Sequence, residues 1–237
     1  MKMCQTTLLL IASFAALSAL AQAQAFTGPG DSSSADETIA PARIEQIDSS
    51  YVRPSQATKL RNYAFDAFGP YPIFGAAVVA GIGQADNTVP EWKQGAAGFG
   101  RRFGSDFGIA AASTTTRYAM GQVLREDTLY YRCECRGLFP RLSHAVVSTL
   151  TARHGQDGHR AFSVSAVVAP YAGTMTAVYG WYPDNYGARY ALRLGNYNLL
   201  ISAGQNILLE FFYSGPHSLL SRMHLNNSHG APDSGSR

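Results

Sequence analysis

The run "AFSVSAVVAPYAGTMTAVYGWYP", Ala161 to Pro183, contains no charged side chain. Ala169, Gly173 and Ala177 recur at every fourth position, so on a helix they form one strip of small residues against which a second backbone can close. Three readings fit the run. It is the buried core helix of a soluble bundle, or a membrane span (of all the runs here, the one long enough), or, over "AFSVSAV", a short strand, because apolar and polar residues alternate there.

The same spacing recurs upstream. Gly100, Gly104 and Gly108, followed by Ala112, are also four apart, within a segment that reads as a helix from about 95 to 124. Each glycine costs a helix ~1 kcal/mol relative to alanine, so three on one strip point to close helix packing at Gly100, Gly104, Gly108 and Gly173. Three further helices follow from apolar periodicity. One starts near Ser55 or Thr58, carries Leu60, Tyr63, Ala64 and Ala67 on one face, is interrupted by Pro70 and Pro72, and resumes to about 85. Another runs from about Pro140 to Arg153, with "HGQDGH" as the turn after it. The last runs from about Gly187 to Phe212. The expected fold is therefore all-α, a bundle of about five helices over residues 55–213 with Gly/Ala helix packing. A transmembrane β-barrel would need many alternating segments of ~10 residues, and the chain has longer Ala-rich runs instead.

The flanks differ from this body. Residues 1–23 have a positive Lys2, an apolar Leu8–Leu20 and small-x-small sites at Ala19-Leu20-Ala21 and Ala21-Gln22-Ala23, the pattern of a secretory signal peptide. Cys4 precedes the apolar run, so it is not placed as a lipoprotein cysteine. Residues 24–54 read as a flexible leader and residues 214–237 as a polar tail, disordered at its end. Export to the periplasm or a cell-envelope membrane is the expectation. Charged residues make up 15% of the chain and the formal net charge is +3. That balance implies no nucleic-acid partner, while the low charge suits close packing, a membrane or an envelope component. No cofactor is indicated, and oligomeric state is left open.

The polar chemistry concentrates in "REDTLYYRCECRG", Arg125 to Gly137. Glu126 and Asp127 fall at the end of a helix, where carboxylates oppose the dipole, and Arg125, Arg132, Arg136 and Arg141 are the expected compensating charges. Cys133 and Cys135 are the two cysteines that remain after signal removal. In an oxidising compartment they form a disulfide, stay free thiols, or contribute two of the four ligands of a zinc site that no histidine spacing completes. No metal site is therefore expected. Arg141 and His144 share a helix face, but the other segments of a lipid-phosphate phosphatase are absent, as are Gly-x-Ser-x-Gly and His-Glu-x-x-His. Asn206 and Glu210, four apart in an apolar helix, read as buried polar residues needing partners, with Arg101, Arg102 or Arg117 as suppliers. Arg102 and Asp106 are an expected i, i+4 pair.

Several of these stretches also carry a resemblance. "FGAAVVAGIGQA", "PEWKQG" (Pro90–Gly95), "RRFG" (Arg101–Gly104) with Asp106, "EDTLYY", Tyr182-Pro183 and "GQNILLEF" (Gly204–Phe211) together resemble a family of secreted soil-bacterial envelope proteins with no assigned activity. The resemblance covers about residues 57–225. It implies a helical exported protein and no reaction. Lys93 stands where many relatives have glycine, and Thr128-Leu129 replaces a Pro-Arg pair.

Two functions follow as expectations. The first is a non-enzymatic helical structural or interaction protein associated with a membrane. The second is a periplasmic hydrolase with a polar pocket around Glu126, Asp127, Arg141 and His144.

Overall fold

The computed structural model describes residues 51–133 and 135–212. The expected signal peptide, nearly all of the expected leader and the expected tail lie outside the described residues.

Six α-helices and a small sheet make up the described chain: α1 (Gln56–Phe68), α2 (Pro70–Ala85), α3 (Gly95–Val123), β1 (Glu126–Asp127), α4 (Leu138–Val147), β2 (Thr151–His154), β3 (His159–Phe162), α5 (Val164–Gly180) and α6 (Ala188–Phe212). Ser55 caps α1, its hydroxyl accepting from the Thr58 amide at 3.2 Å. Gly69 ends α1, and Pro70 opens α2 at a first-turn position, where its missing N–H costs nothing. Ser163 caps α5 in the same way, accepting from the Ala166 amide at 3.1 Å.

The fold is mostly helical but not all-α. The expected third helix stops at Val147, and Thr151–His154 forms the middle strand of an antiparallel sheet ordered β1-β2-β3. Gly155 and Gly158, both at positive φ, make the turn that returns the chain as β3. The alternation in "AFSVSAV" ends in this strand, so the helix starts at Val164 rather than Ala161. β1 also replaces the expected helix end at Glu126-Asp127. Arg125, at φ 56°, breaks the helical path just before it.

Helices α2, α3, α5 and α6 pack in that order, with α1 also lying on α3. Near its end α5 meets the first half of α3, where the Trp181 indole N–H donates to Ser105 Oγ at 2.9 Å. At its start α5 meets the far end of α3, where the Val164 amide donates to Glu126 at 3.1 Å. α3 and α5 are therefore antiparallel, and the bundle has two ends. One gathers the α2–α3 and α5–α6 connections. The other gathers the sheet, α4 and the last turn of α6.

The small-residue strips divide in their use. An added Cβ at Gly173 would lie 2.7 Å from the Ile109 carbonyl oxygen, and at Gly108 it would lie 3.1 Å from the Trp181 ring. Both glycines therefore sit at close approaches. Gly100 and Gly104 do not, because nothing stands within 4 Å of a Cβ at either. They floor an open groove instead.

Burial departs from the ordinary pattern, because the buried apolar residues are mostly alanine while the largest fully buried side chains are charged or polar. Arg102, Glu126, Asp127, Arg153 and Glu210 are all at most 5% exposed, while Phe74 is 72%, Phe139 75% and Tyr179 70% exposed. On α1 the predicted apolar face is split: Ala67 is fully buried and Tyr63 stacks on Tyr118 of α3 at 4.6 Å, whereas Leu60 is 54% exposed, and Lys59 and Asn62 are buried. Among the described residues the stretch Gln56–Ala85, divided at Gly69 into α1 and α2, is long and apolar enough to cross a membrane, and 17% of its apolar window is buried.

Candidate functional site

Three buried polar clusters lie at the sheet end, each organised on one carboxylate. Adjacent residues on a strand point to opposite faces, and β1 separates Glu126 from Asp127 in this way. Glu126 accepts from Ser163 Oγ at 2.7 Å, from Ser165 Oγ and from the Val164 amide. His154 Nε2 lies 3.8 Å away. Asp127 accepts from the hydroxyls of Tyr51 and Tyr131, each at 2.7 Å, and from the Leu129 amide at 3.1 Å. The Arg153 guanidinium lies between those two tyrosine rings, 4.9 and 5.1 Å from their centroids. Burial, together with the Asp127 charge and hydrogen bond, pushes both phenols well above their ordinary pKa of 10.0. They are neutral donors across the physiological range.

The third cluster joins α6, α4 and the cysteine loop. Glu210 accepts from Tyr130 Oη at 2.7 Å, the Cys133 amide at 3.0 Å and Arg141 Nε at 2.9 Å. Arg141 also donates to the Glu210 carbonyl and stacks on Phe211 at 4.6 Å. His144 Nδ1 is 3.5 Å from Tyr130 Oη. Burial, with Arg160 nearby, lowers the His144 pKa below 6.5. It therefore meets Glu210 as a neutral imidazole rather than an ionic partner. Cys133 and Cys135 are bonded to each other.

The four residues expected to share a pocket are thus divided. Arg141 and His144 converge on Glu210, while Glu126 and Asp127 each have other partners. Hydroxyls and amides, not the expected arginines, satisfy those two carboxylates. Arg141 is the cation that holds Glu210, in place of Arg101, Arg102 or Arg117. Asn206 donates to Thr149 Oγ1 at 3.0 Å and, at 3.5 Å, to the Ala145 carbonyl. Tyr51, Tyr130 and Ser163 were missed as partners. "YY" beside an acidic pair was the available signal for Tyr130 and Tyr131, whereas nothing local marked Tyr51 or Ser163.

The opposite end is built on Arg102, which is 2% exposed. It reaches out of α3 to the Thr88 carbonyl (2.9 Å), the Lys93 carbonyl (2.8 Å), the Val89 carbonyl (3.3 Å) and Gln84 Oε1 (2.7 Å). These contacts, rather than a pairing with Asp106, fix the α2–α3 connection. That loop holds Asn87, Val89 and Lys93 at positive φ. Glu91 accepts from Asn185 at 2.8 Å and Tyr186 at 3.1 Å, tying the loop to the α5–α6 turn. Trp92 packs on Tyr182 at 4.8 Å, within a group that includes Tyr186 and Tyr190. Between Trp92 and Trp181 the glycine strip floors a groove of about 520 Å³, lined also by Arg101 and Ser105.

Among the described residues no group of three or more His, Cys, Asp or Glu could hold a metal ion. Comparison with protein-family models, curated proteins and solved structures gives no match.

Proposed function

We propose that this protein is an exported cell-envelope protein that inserts its helices into a membrane and serves a structural or interaction role rather than a catalytic one. This burial pattern carries the reading. In water, exposing large aromatic and aliphatic side chains while burying six charged ones forfeits much of the main driving force of folding. In a bilayer exposed apolar side chains are favourable, because lipid solvates the outer face, while Arg102, Glu126, Asp127 and Glu210 each find several polar partners inside.

The distribution of charge along the bundle agrees. Residues 67–85, 107–116, 161–183 and 194–209 contain no charged side chain, and they fall in α2, α3, α5 and α6. On α3 the uncharged stretch is bounded within the helix by Asp106 and Arg117. Tryptophan and tyrosine gather at the Arg102 end, as they do where a membrane protein meets the interface. The carboxylates that a hydrolase would require are each held by three donors, which favours the non-enzymatic reading over the pocket hydrolase.

The test is fractionation of cells carrying the tagged chain, with a carbonate wash of the membrane pellet. Retention in the washed pellet is the expected result. Recovery in the soluble envelope fraction overturns the proposal.

A further inference from the structure

Beyond that reading, and independently of it, we infer that the Cys133–Cys135 disulfide is an exchange centre that oxidises the thiols of a second polypeptide. The two cysteines are bonded across a single intervening residue. A disulfide stabilises a fold mainly by restricting the unfolded chain, and the restriction shrinks with the loop that it closes. A bridge over so short a loop adds little as a staple. The surrounding structure does not depend on it either. Glu210 accepts from the Cys133 amide at 3.0 Å, and Tyr130 and Arg141 hold Glu210 in turn. None of these bonds passes through sulfur.

The two halves of the bridge are unequal. Cys135 is exposed and Cys133 is half-buried, so an incoming thiolate meets Cys135 first. The Cys135 amide donates to Cys133 Sγ at 3.2 Å. A hydrogen bond strengthens when its acceptor becomes charged, so this donor already stands where the leaving thiolate forms. The stretch Arg132 to Arg136 also carries two arginines against Glu134. Neighbouring cations lower the pKa of a thiol, and a thiol of lower pKa leaves faster.

The exchange runs in two steps. A thiolate of the partner attacks Cys135 Sγ. The Cys133–Cys135 bond breaks, its electron pair goes to Cys133 Sγ, and a mixed disulfide joins the partner to Cys135. The partner's second thiol then loses its proton and attacks the partner's own sulfur in that bond, releasing Cys135 as a thiolate. The partner's two thiols have become one disulfide. Cys133 and Cys135 have taken up its two electrons and, from solvent, two protons. The substrate class is an accessible dithiol in a polypeptide, and each chain oxidises one such pair.

The test uses the full mature chain with its bridge closed. In one arm it meets a peptide with a single cysteine, and the mixture is quenched with iodoacetamide and mapped by mass spectrometry. The expected product carries the peptide on Cys135 and the alkyl group on Cys133. In the other arm it meets a peptide with two cysteines, whose thiols are counted over time. The chain should oxidise that peptide at least about tenfold faster than the same concentration of glutathione disulfide, one peptide per chain, with the helical circular dichroism unchanged. The Cys133→Ser/Cys135→Ser variant should keep that helical signal and oxidise nothing. A bridge that stays closed to both peptides, or whose opening abolishes the helical signal, is a structural staple, and either result overturns the inference. A peptide found on Cys133 overturns it too, as does a cysteine pair that stays free after treatment with diamide.

Discussion

Glu210 is the residue whose removal should cost most at the sheet end. It is fully buried, and its carboxylate alone gathers Tyr130, the Cys133 amide and Arg141. Glu210→Ala leaves three donors without an acceptor. An orphaned buried donor costs ~1–3 kcal/mol, and breaking a buried ion pair costs ~3–5 kcal/mol. Arg141 is 25% exposed and partly rehydrates, so the low end applies, and the expected loss is about 3 kcal/mol. Glu210→Gln keeps one acceptor oxygen but sets an NH2 against a donor, for about 2 kcal/mol. Arg141→Met should cost about as much as Glu210→Ala, because the carboxylate then stays buried with two neutral donors. The Glu210→Met/Arg141→Met double variant should recover ~1–3 kcal/mol of the summed single losses. The assay is equilibrium unfolding by titrating a denaturing detergent into mild micelles, followed by helical circular dichroism. Hydrogen exchange at the Cys133 amide reports the local effect. If Glu210→Ala changes stability by less than about 0.5 kcal/mol with Cys133 protection unchanged, the carboxylate is not the clamp of this end.

Glycine substitutions should separate the two uses of the small strips. Gly173→Ala drives a methyl toward Ile109 and Ser113 and should cost ~1–3 kcal/mol, while Gly100→Ala, with open space above it, should be neutral or gain up to ~1 kcal/mol; equal effects in the same unfolding titration would contradict the packing described. Lys93 sits at φ 62°, ψ −174°, a region close to glycine-only, so Lys93→Gly should stabilise by about 1 kcal/mol, and a loss of stability would show the strain is not there. On the alkaline side, Tyr51 and Tyr131 have folded pKa values raised above the unfolded 10.0. Their contribution is therefore complete below about pH 10 and falls as pH rises past it. Tyrosinate absorbance and loss of helical signal should rise together there, and phenols that ionise near pH 10 with the fold intact would refute the Asp127 cluster.

Helix positions were legible because apolar period and proline punctuation are local. Ser55, Pro70 and the 95–123 helix all followed from them. The sheet was not, since β1 is two residues long and pairs with His154 and Arg153 from far along the chain. The polar clusters were half legible. That Glu126, Asp127 and Glu210 need partners follows from burial alone, but which partners they find depends on how α5 and α4 return to the sheet. Charge complementarity favoured arginines. The strand pleat instead gave Glu126 to Ser163 and Ser165, and Asp127 to Tyr51 and Tyr131, short hydroxyl donors already in place at α5's N-cap and beside β1. Lys93 became intelligible only with its φ value. It falls at a left-handed position, where the loop keeps its shape because Arg102 holds the Lys93 carbonyl.

Apolar periodicity alone did not decide which side of a helix faces inward, and the reason is physical. Apolar periodicity identifies which side of a helix differs from the other, but it assigns that side to the core only if water is outside. On α1 Leu60 points out and Lys59 and Asn62 point in, beside the inward Tyr63 and Ala67; on α4 Leu138, Phe139, Val146 and Val147 are exposed and Arg141 points in. Large apolar side chains exposed on both helices beside inward-turned charges are difficult to reconcile with an aqueous exterior, because each exposed side chain forfeits ~1.5–3 kcal/mol of burial. One change of solvent removes both conflicts at once. The inward charges then follow as a requirement rather than an anomaly, since a chain in lipid must satisfy its polar groups internally. Arg102, Glu126 and Glu210, each bonded to several partners and each at an end of the bundle, meet that requirement where the chain leaves the apolar zone.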